Sequence, residues 1–513
     1  MKKITIYPLI LILTAFTISC AGGYSNSNET EAKEPVKLLL LYTNDMHAQF
    51  IPDEAFWVDG ENKPLIGGFA ALKGYIDREQ ALGIPSILLD AGDLMTGTPL
   101  SNIVVDGIEG GALLKMMDEI GYDVMTLGNH EFDNGQENIR KFYDYVSFPI
   151  INANLLINGN LLAPSAYEIL DVAGIKIGVI GLMTNDFFNV TAKPVTEGIE
   201  LGNSVVLTNE IVKQIDPVTD LIILLTHVSV EEDRVFAREI PLIDIIVGGH
   251  SHTRLAKPVV ENGVIILQAG SRTSHLGRLE FTVQGDSVSE FSGRLIPTWV
   301  DSIDTNPIME STIEEYVKAI NRSFGDTLAT LVNDLVRSSS GESNIGSWIA
   351  SIIKEATNSD LGIINSGGIR KGVSAGPLTK LDVIEILPFK NYLTTYEVTG
   401  KQLLSFMAYC AEQSVSSDRR NVQVSGISYK YKSNEDGMEL IEAKIGGSPV
   451  IPEKIYKAGT IDFVSDSQPL LYLGFRPSNI EHLNILVSEV VMKYAKEAKV
   501  IEAKLTGAIT RIE

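Results

Sequence analysis

Five short segments of this 513-residue chain carry side chains suited to holding metal ions. They are Thr43-Asn44-Asp45-Met46-His47, Asp90-Ala91-Gly92-Asp93, Gly128-Asn129-His130-Glu131-Phe132-Asp133, Thr226-His227 and Gly248-Gly249-His250-Ser251-His252. Each directly follows a short apolar run. Of the seven histidines, only His275 and His482 fall outside these segments. Imidazole, carboxylate and Asn oxygen suit Mn, Zn or Fe better than soft metals. Two such ions about 3.5–4 Å apart can share a carboxylate and together stabilise an in-line displacement at phosphorus. A lone Asp-x-His is weak evidence, because most are surface or helix-cap features. Five segments in this order are a strong signal. The glycines of Gly-Asn-His and Gly-Gly-His are expected where the backbone bends tightly beside the ions. His130 and Asp133 are three residues apart and can pair within one turn, and a carboxylate raises a His pKa into a useful range. The plainer reading of Asp133 is a helix N-cap.

These segments need strands to position them. The apolar runs are Val36–Tyr42, Ser86–Leu89, Val124–Leu127, Ile175–Ile180, Leu221–Leu225, Ile243–Val247 and Val264–Leu267. Each is rich in Ile, Leu and Val, which predicts buried strands of an α/β sandwich. Ligands at the carboxyl ends of such strands are what an open α/β fold presents. The pattern breaks near Asp301–Pro307. A helix is predicted next, from a capping-box pair at Ser311 and Glu314 and from Ile313, Tyr316, Val317 and Ile320 at helical spacing. It is read as the connector between two domains. Beyond Asp326, the stripe Ile345, Trp348, Ile349, Ile352, Ile353 and Ala356 predicts a helix with Trp348 in the core. Strand-like runs follow at Gly362–Asn365, Tyr392–Val398 and Val422–Tyr431.

Lys+Arg number 42 against 65 Asp+Glu, a net charge of −23. That balance argues against a general phosphate-backbone binder. It does not forbid a small anion, since metal ions or a few placed arginines reverse the local field. Two cysteines exclude a disulfide scaffold. Cys410 lies in the apolar helical pattern Leu403, Leu404, Phe406, Met407 and reads as a buried inert thiol. Lys2 and Lys3 precede an apolar stretch, Ile4–Ile18, interrupted by Pro8 and too short for a stable membrane span. It reads as an export signal, residues 1–19. Thr17-Ile18-Ser19-Cys20 resembles a bacterial lipobox, with Cys20 lipidated and residues 20–35 a flexible tether. The alternative is a soluble periplasmic protein.

The five segments together resemble the calcineurin-like metallophosphoesterase signature. With the second domain they resemble the 5′-nucleotidase family, over nearly everything from Val36 to about Ile509. The resemblance implies a four-layer α/β/β/α sandwich over residues 36–300. A linker helix within 301–325 would join it to an α+β substrate-binding domain over 326–513. It implies two divalent ions, Zn, Mn or similar. Asp45, His47, Asp93 and His252 would hold one; Asp93, Asn129, His227 and His250 would hold the other, with Asp93 bridging. His130 would face the phosphoryl group, oriented by Asp133. His130 then fills the catalytic position, so Glu131 reads as structural. His275 reads as surface or supporting.

In the second domain, Asn365-Ser366-Gly367-Gly368-Ile369-Arg370 is similar to the family's Asn-x-Gly-Gly-x-Arg segment. That implies substrate contacts from Asn365 and, through phosphate oxygens, Arg370; a guanidinium fork suits that task. Arg337 is a weaker second candidate. Phe389 and Phe463 match the pair of aromatics that stack on a nucleobase. Ser465-Asp466-Ser467-Gln468-Pro469 departs from the Gly-rich loop by which the family holds ribose. The expected activity is release of phosphate from 5′-nucleotides outside the cytoplasm. Alternatives with the same site are a UDP-sugar diphosphatase or a 2′,3′-cyclic nucleotide phosphodiesterase. A non-catalytic nucleotide-binding lipoprotein is a reading of a different class.

Overall fold

Val36–Thr43 is buried from Leu38 onward, so both faces of the strand are covered. It pairs in parallel with Ser86–Asp90 and antiparallel with His275–Val283. The six-stranded sheet around it runs, edge to edge, through Val288–Pro297, His275–Val283, Val36–Thr43, Ser86–Asp90, Val124–Thr126 and Ile150–Ile151. A second six-stranded sheet runs through Tyr167–Val172, Ile175–Met183, Leu221–His227, Ile245–Val247, Val264–Leu267 and Val259–Glu261. Side chains alternate across a strand. Leu38, Leu40 and Tyr42 therefore meet Ile177, Ile223 and Ile245 between the sheets. Leu39 and Leu41 face outward onto Leu72 and Ile76 of helix Phe69–Gln80 and Leu113 of helix Gly111–Ile120. Helices Ser204–Ile215 and Val230–Glu239 cover the far face of the second sheet. The layers are α/β/β/α. Every predicted strand of this half is present, within three residues at its ends.

The computed structural model describes residues 34–55, 57–58, 63–338, 341–414, 421–434 and 437–512. The predicted export signal and Cys20, with nearly all of the predicted tether, lie outside the described residues. No described helix is long and apolar enough to cross a membrane.

The connector helix spans Pro307–Phe324, starting four residues before Ser311. Asn306 caps it, accepting from the amides of Ile308 and Met309, and Pro307 takes the first turn. An Asn followed by Pro supplies the cap and the preset φ together, and it wins over the internal Ser311–Glu314 pair. Met309, Ile313 and Ile320 sink into the helix-side core of the first half.

The second half is built on a five-stranded sheet: Val422–Ser425, Leu361–Asn365, Ile455–Ile461, Tyr392–Thr399 and Ser478–Leu486. Helices Asn344–Ala356, Gly400–Gln413 and Val487–Ala498 share its core. Trp348 packs against that core, and Cys410 is buried in it with its thiol pKa pushed up by burial. The run predicted over Val422–Tyr431 is two strands in two sheets, broken at Gly426. Gly426 has φ +81°, and a Cβ there would lie 2.3 Å from the Asp360 carbonyl. Leu361–Asn365 and Ile455–Ile461 are parallel, whereas Tyr392–Thr399 is antiparallel to the latter. One end of the sheet thus collects Asn365, Phe463 and the turn carrying Phe389.

Candidate active site

The ligand segments occupy the strand ends as the sequence predicts, but the backbone does something the glycines did not suggest. Apart from Gly92 at +84°, the left-handed residues within these segments are the ligands themselves: Asp45, His47, Asp93, His250 and His252 have φ between +49° and +68°. Gly128, Gly248 and Gly249 are not left-handed. They are small because neighbours press on them: a Cβ on Gly128 would lie 2.3 Å from Asp93 Oδ1, and one on Gly248 2.2 Å from Asp233 Oδ2. Non-glycine residues persist in this region only where surroundings hold them, and such strain concentrates at functional sites.

Those surroundings are explicit. The amides of Asp45 and His47 donate to the carbonyls of Gly92 and Asp93. Asn44 Nδ2 donates to Asp45 Oδ2 and to the Gly270 carbonyl, while its own Oδ1 takes the Ala269 amide. The His250 amide donates to Asp45 Oδ2 at 2.9 Å. Glu131 is fully buried and accepts the amides of Asp93, Met95 and Gly128. Burial, then Asp93, pushes its carboxyl up to about 7. Its task is to splice the second and third ligand segments together, which matches its reading as structural.

Two ligand groups result: Asp45, His47 and His252, and Asp93, His227 and His250, the candidate atoms of each within 4.8 Å of one another. Asp93 Oδ2 stands between them, 3.2 Å from His227 Nε2 and 3.9 Å from His47 Nε2. Asn129 Oδ1 is 3.0 Å from His250 Nδ1. The residues fit a pair of cations. His47 Nδ1 donates to the Thr96 carbonyl at 3.1 Å and His227 Nδ1 to the Ala91 carbonyl at 2.7 Å, which turns each Nε2 toward the ligand groups. His227 Nε2 is buried against Asp93 Oδ2; burial opposes charge on His227, but Asp93 outweighs it and raises its pKa to about 10. His47 Nε2 faces His252 Nε2 at 2.9 Å. Burial, with Arg370 and His252, holds His47 well below the usual range, so it is the neutral imidazole a metal needs. Burial opposes charge on Asp93, yet His227 and His130 keep it well below the ordinary carboxylate range.

His130 and Asp133 form a pair: Nδ1 donates to Asp133 Oδ2 at 2.8 Å, and the same oxygen takes the Thr96 hydroxyl at 2.5 Å. Asp133 is not a helix cap; Gly135 fills that position for helix Gln136–Tyr145. Burial opposes a charge on His130, but Asp93 and Asp133 outweigh it and raise its pKa. His130 Nε2 lies 4.0 Å from Asp93 Oδ2 and could geometrically complete a third ligand group with His47 and Asp93. His275 joins none of these groups; burial and Arg254 lower its pKa to about 4.

The second half reaches this cluster. Arg370 Nη2 is 3.1 Å from His47 Nε2. The Phe389 ring stacks on His130, centroids 5.5 Å apart at 30°, with the Arg370 guanidinium 5.8 Å from the Phe389 centroid. Asn365 is buried with Oδ1 unbonded. Phe463 instead lies 5.8 Å from Tyr472. Asp462 Oδ1 accepts the amides of Tyr392 and Phe463, stitching the two aromatic segments together. Arg337 Nη1 donates to the Arg370 carbonyl. Sequence reasoning missed Asn44 and Arg272. Asn44 sits inside a quoted motif and could have been found; nothing local marks Arg272.

A two-sheet sandwich with His and Asp ligands at its strand ends is the site of a metal-dependent phosphoester hydrolase. Residues 38–254 match the model of the calcineurin-like phosphoesterases, and residues 325–469 that of the 5′-nucleotidase C-terminal domain. The chain belongs to the 5′-nucleotidase family, whose metallophosphoesterase domain uses divalent metal ions. A 5′-nucleotidase of Vibrio vulnificus is 30% identical over 504 residues, 87% of this chain and 88% of the relative. Protein UshA of Escherichia coli K12 is 26% identical, covering 88% and 89%. The crystal structure of a 5′-nucleotidase precursor from Thermus thermophilus superposes with a TM-score of 0.82 at 26% identity, over 93% of this chain and 99% of that one.

Proposed function

We propose that the protein releases phosphate from 5′-nucleotides, with the metal cluster and the second half acting on opposite ends of one substrate. The observation that carries this is the meeting of Arg370 with His47, and of Phe389 with His130, across the two halves. Asp45, His47, Asp93 and His252 would hold one ion and Asp93, Asn129, His227 and His250 the other. Bound there, the ions supply Lewis acidity and an activated water. The chain's own groups do the rest. Arg370 presents a planar donor fork to phosphate oxygens. Asp133 fixes His130 Nδ1–H, so that Nε2 is the atom offered to the phosphoryl group, and Asp93 and Asp133 favour its charged form against burial. Phe389, Phe463 and Asn365 hold the nucleoside.

The segment after Phe463 favours keeping wider substrates in the test. It forms a wide π-helical turn, Phe463–Ser467, and Gln468 Nε2 donates to the Phe188 carbonyl. Asp466 faces His482 at 3.9 Å, both half-exposed. The two aromatics would then carry most nucleoside recognition. Phosphate release from AMP, UDP-glucose, a 2′,3′-cyclic nucleotide and p-nitrophenyl phosphate, with several divalent metals, tests the reading. No AMP hydrolysis alongside turnover of another ester would reassign the substrate. Base stacking contributes about 1–3 kcal/mol, so Phe389→Ala or Phe463→Ala should lower kcat/KM on AMP by roughly 10–100-fold. The loss on p-nitrophenyl phosphate, which has no nucleoside, should be much smaller. Equal losses on both would mean that these rings only pack.

Export and lipidation at Cys20 belong to the same proposal, supported by the Lys2–Cys20 pattern. The mature protein should fractionate with membranes, and Cys20→Ala should release it or block processing. Identical soluble recovery of both forms would refute the anchor. One acyl chain binds membranes only marginally, so stable anchoring implies more than one.

A further inference from the structure

Arg272 has no part in the ligand set, yet it is mounted on it. Its amide donates to the Asp45 carbonyl at 2.8 Å, and Arg272 and Thr273 are consecutive left-handed residues, φ +55° and +53°. Thr273 holds that turn: its Oγ1 accepts the Gly68 amide and lies 2.7 Å from the Arg272 carbonyl and 3.2 Å from that of Gln49. From this fixed base the Arg272 side chain crosses to the second half. Nη2 donates to the Arg370 carbonyl at 2.8 Å; Nη1 lies 3.4 Å from Gln49 Oε1 and 3.6 Å from Asp53 Oδ2. The Arg370 carbonyl also accepts Arg337 Nη1 at 3.0 Å, so a guanidinium from each half meets at one oxygen.

The contacts form a circuit. Asp45 holds the Arg272 amide, the Arg272 guanidinium holds the Arg370 carbonyl, and the Arg370 guanidinium reaches His47 Nε2 at 3.1 Å. It begins and ends on the same ligand group. Other crossings between the halves grip elsewhere: Gln468 on the Phe188 carbonyl, Lys390 on Asn134 and Glu109, and Ser374 on Glu54. Hydrogen bonds from a charged donor are shorter and about twice as strong as neutral ones. A guanidinium stays charged under all working conditions.

We propose that Arg272 is a positioning residue, which clamps the carbonyl of Arg370 and so sets the Arg370 guanidinium over the metal-ligand cluster. The inference rests on Arg370 meeting the phosphoryl group, as the proposed function holds. It names a residue of the metal-binding half that acts on substrate through the other half. Because the clamp serves the phosphoryl end, its loss is felt by every phosphate ester, unlike loss of Phe389 or Phe463.

The test is a double-mutant cycle in the full-length, metal-loaded enzyme with Arg272→Gln, Arg370→Ala and the pair. Arg272→Gln should lower kcat/KM by about 10–100-fold on AMP and on p-nitrophenyl phosphate alike, the scale of one charge-assisted hydrogen bond. Metal content should stay at the parent level. In the Arg370→Ala background the same change should cost less than about threefold, because it acts through a group already gone. Arg272→Lys, with one mobile donor in place of a fork, should recover part of the loss. Losses that multiply, wild-type activity in Arg272→Gln, or metal lost with activity would each overturn the proposal. If Arg272→Gln does not fold, Arg272→Lys is read in the same cycle by the same criteria. Should the parent fail on AMP yet hydrolyse p-nitrophenyl phosphate, the nucleotide reading falls while the cycle still decides the clamp. If Arg370→Ala alone costs nothing, the Arg370 assignment falls, and the clamp with it.

Discussion

Asp93→Ala is expected to lose bound metal and turnover together, with activity down by roughly 10³-fold or more. Two ions that share a carboxylate supply several kcal/mol of charge stabilisation, and tenfold in rate corresponds to about 1.4 kcal/mol. Among the described residues, Asp93 is the carboxylate placed between the two ligand groups, its Oδ2 facing both His227 Nε2 and His47 Nε2. Its Oδ1 also accepts the His130 amide, so its removal loosens the segment that carries Asn129 and His130. Metal per chain after dialysis, and phosphate release on the same sample, check the expectation. A variant with the parent's metal content and rate would remove Asp93 from the bridging position.

His130→Ala should behave in the opposite way on metal. Its rate should fall by roughly 10²–10⁴-fold, the scale of a positioned acid–base group, while both ions stay bound. The geometry makes this a sharp test, because His130 also lies in a group with His47 and Asp93 that could hold an ion. Retained metal with lost rate assigns His130 to the phosphoryl group. Metal lost with the rate makes it a ligand. Two features argue for the first outcome: its Nδ1 is committed to Asp133, and its ring is covered on one side by Phe389. Asp133→Asn should give a smaller loss in the same direction, since the imidazole keeps its place but loses a carboxylate that favours its charge.

Much of the site was legible because its determinants are local. A buried strand reads as an unbroken apolar run, and its last residues fix where the chain emerges. The ligands lie within a few residues of such ends, as Asp45 and His47 do after Thr43 and His227 does at the close of Leu221–His227. Order along the chain therefore brings them together once the sheets form. The Asn365-to-Arg370 segment likewise follows a strand, Leu361–Asn365, while its role was implied by the family resemblance. The errors share a cause too. Ser311 and Glu314 match a cap pattern, but Asn306-Pro307 lies upstream and its side chain is free to take the amides. The run Val422–Tyr431 looks continuous, but the Asp360 carbonyl leaves no room for a Cβ at residue 426, and the chain turns there into a second sheet.

By itself the amino-acid sequence determined the buried strands of the first half and the candidate ligand segments that follow them. Each of these depends on residue type and short spacing. Only the tertiary structure decided how the ligands are aimed. Left-handed backbone at Asp45, His47, Asp93, His250 and His252 is unfavourable in isolation, and the amides of the first four are held by carbonyls or carboxylates from other segments. Glu131 gains its role from three amides on two segments, and Arg272 from a carbonyl 98 residues away. Such contacts have no local signature, because the groups that define them become neighbours only after the sheets and both halves have packed.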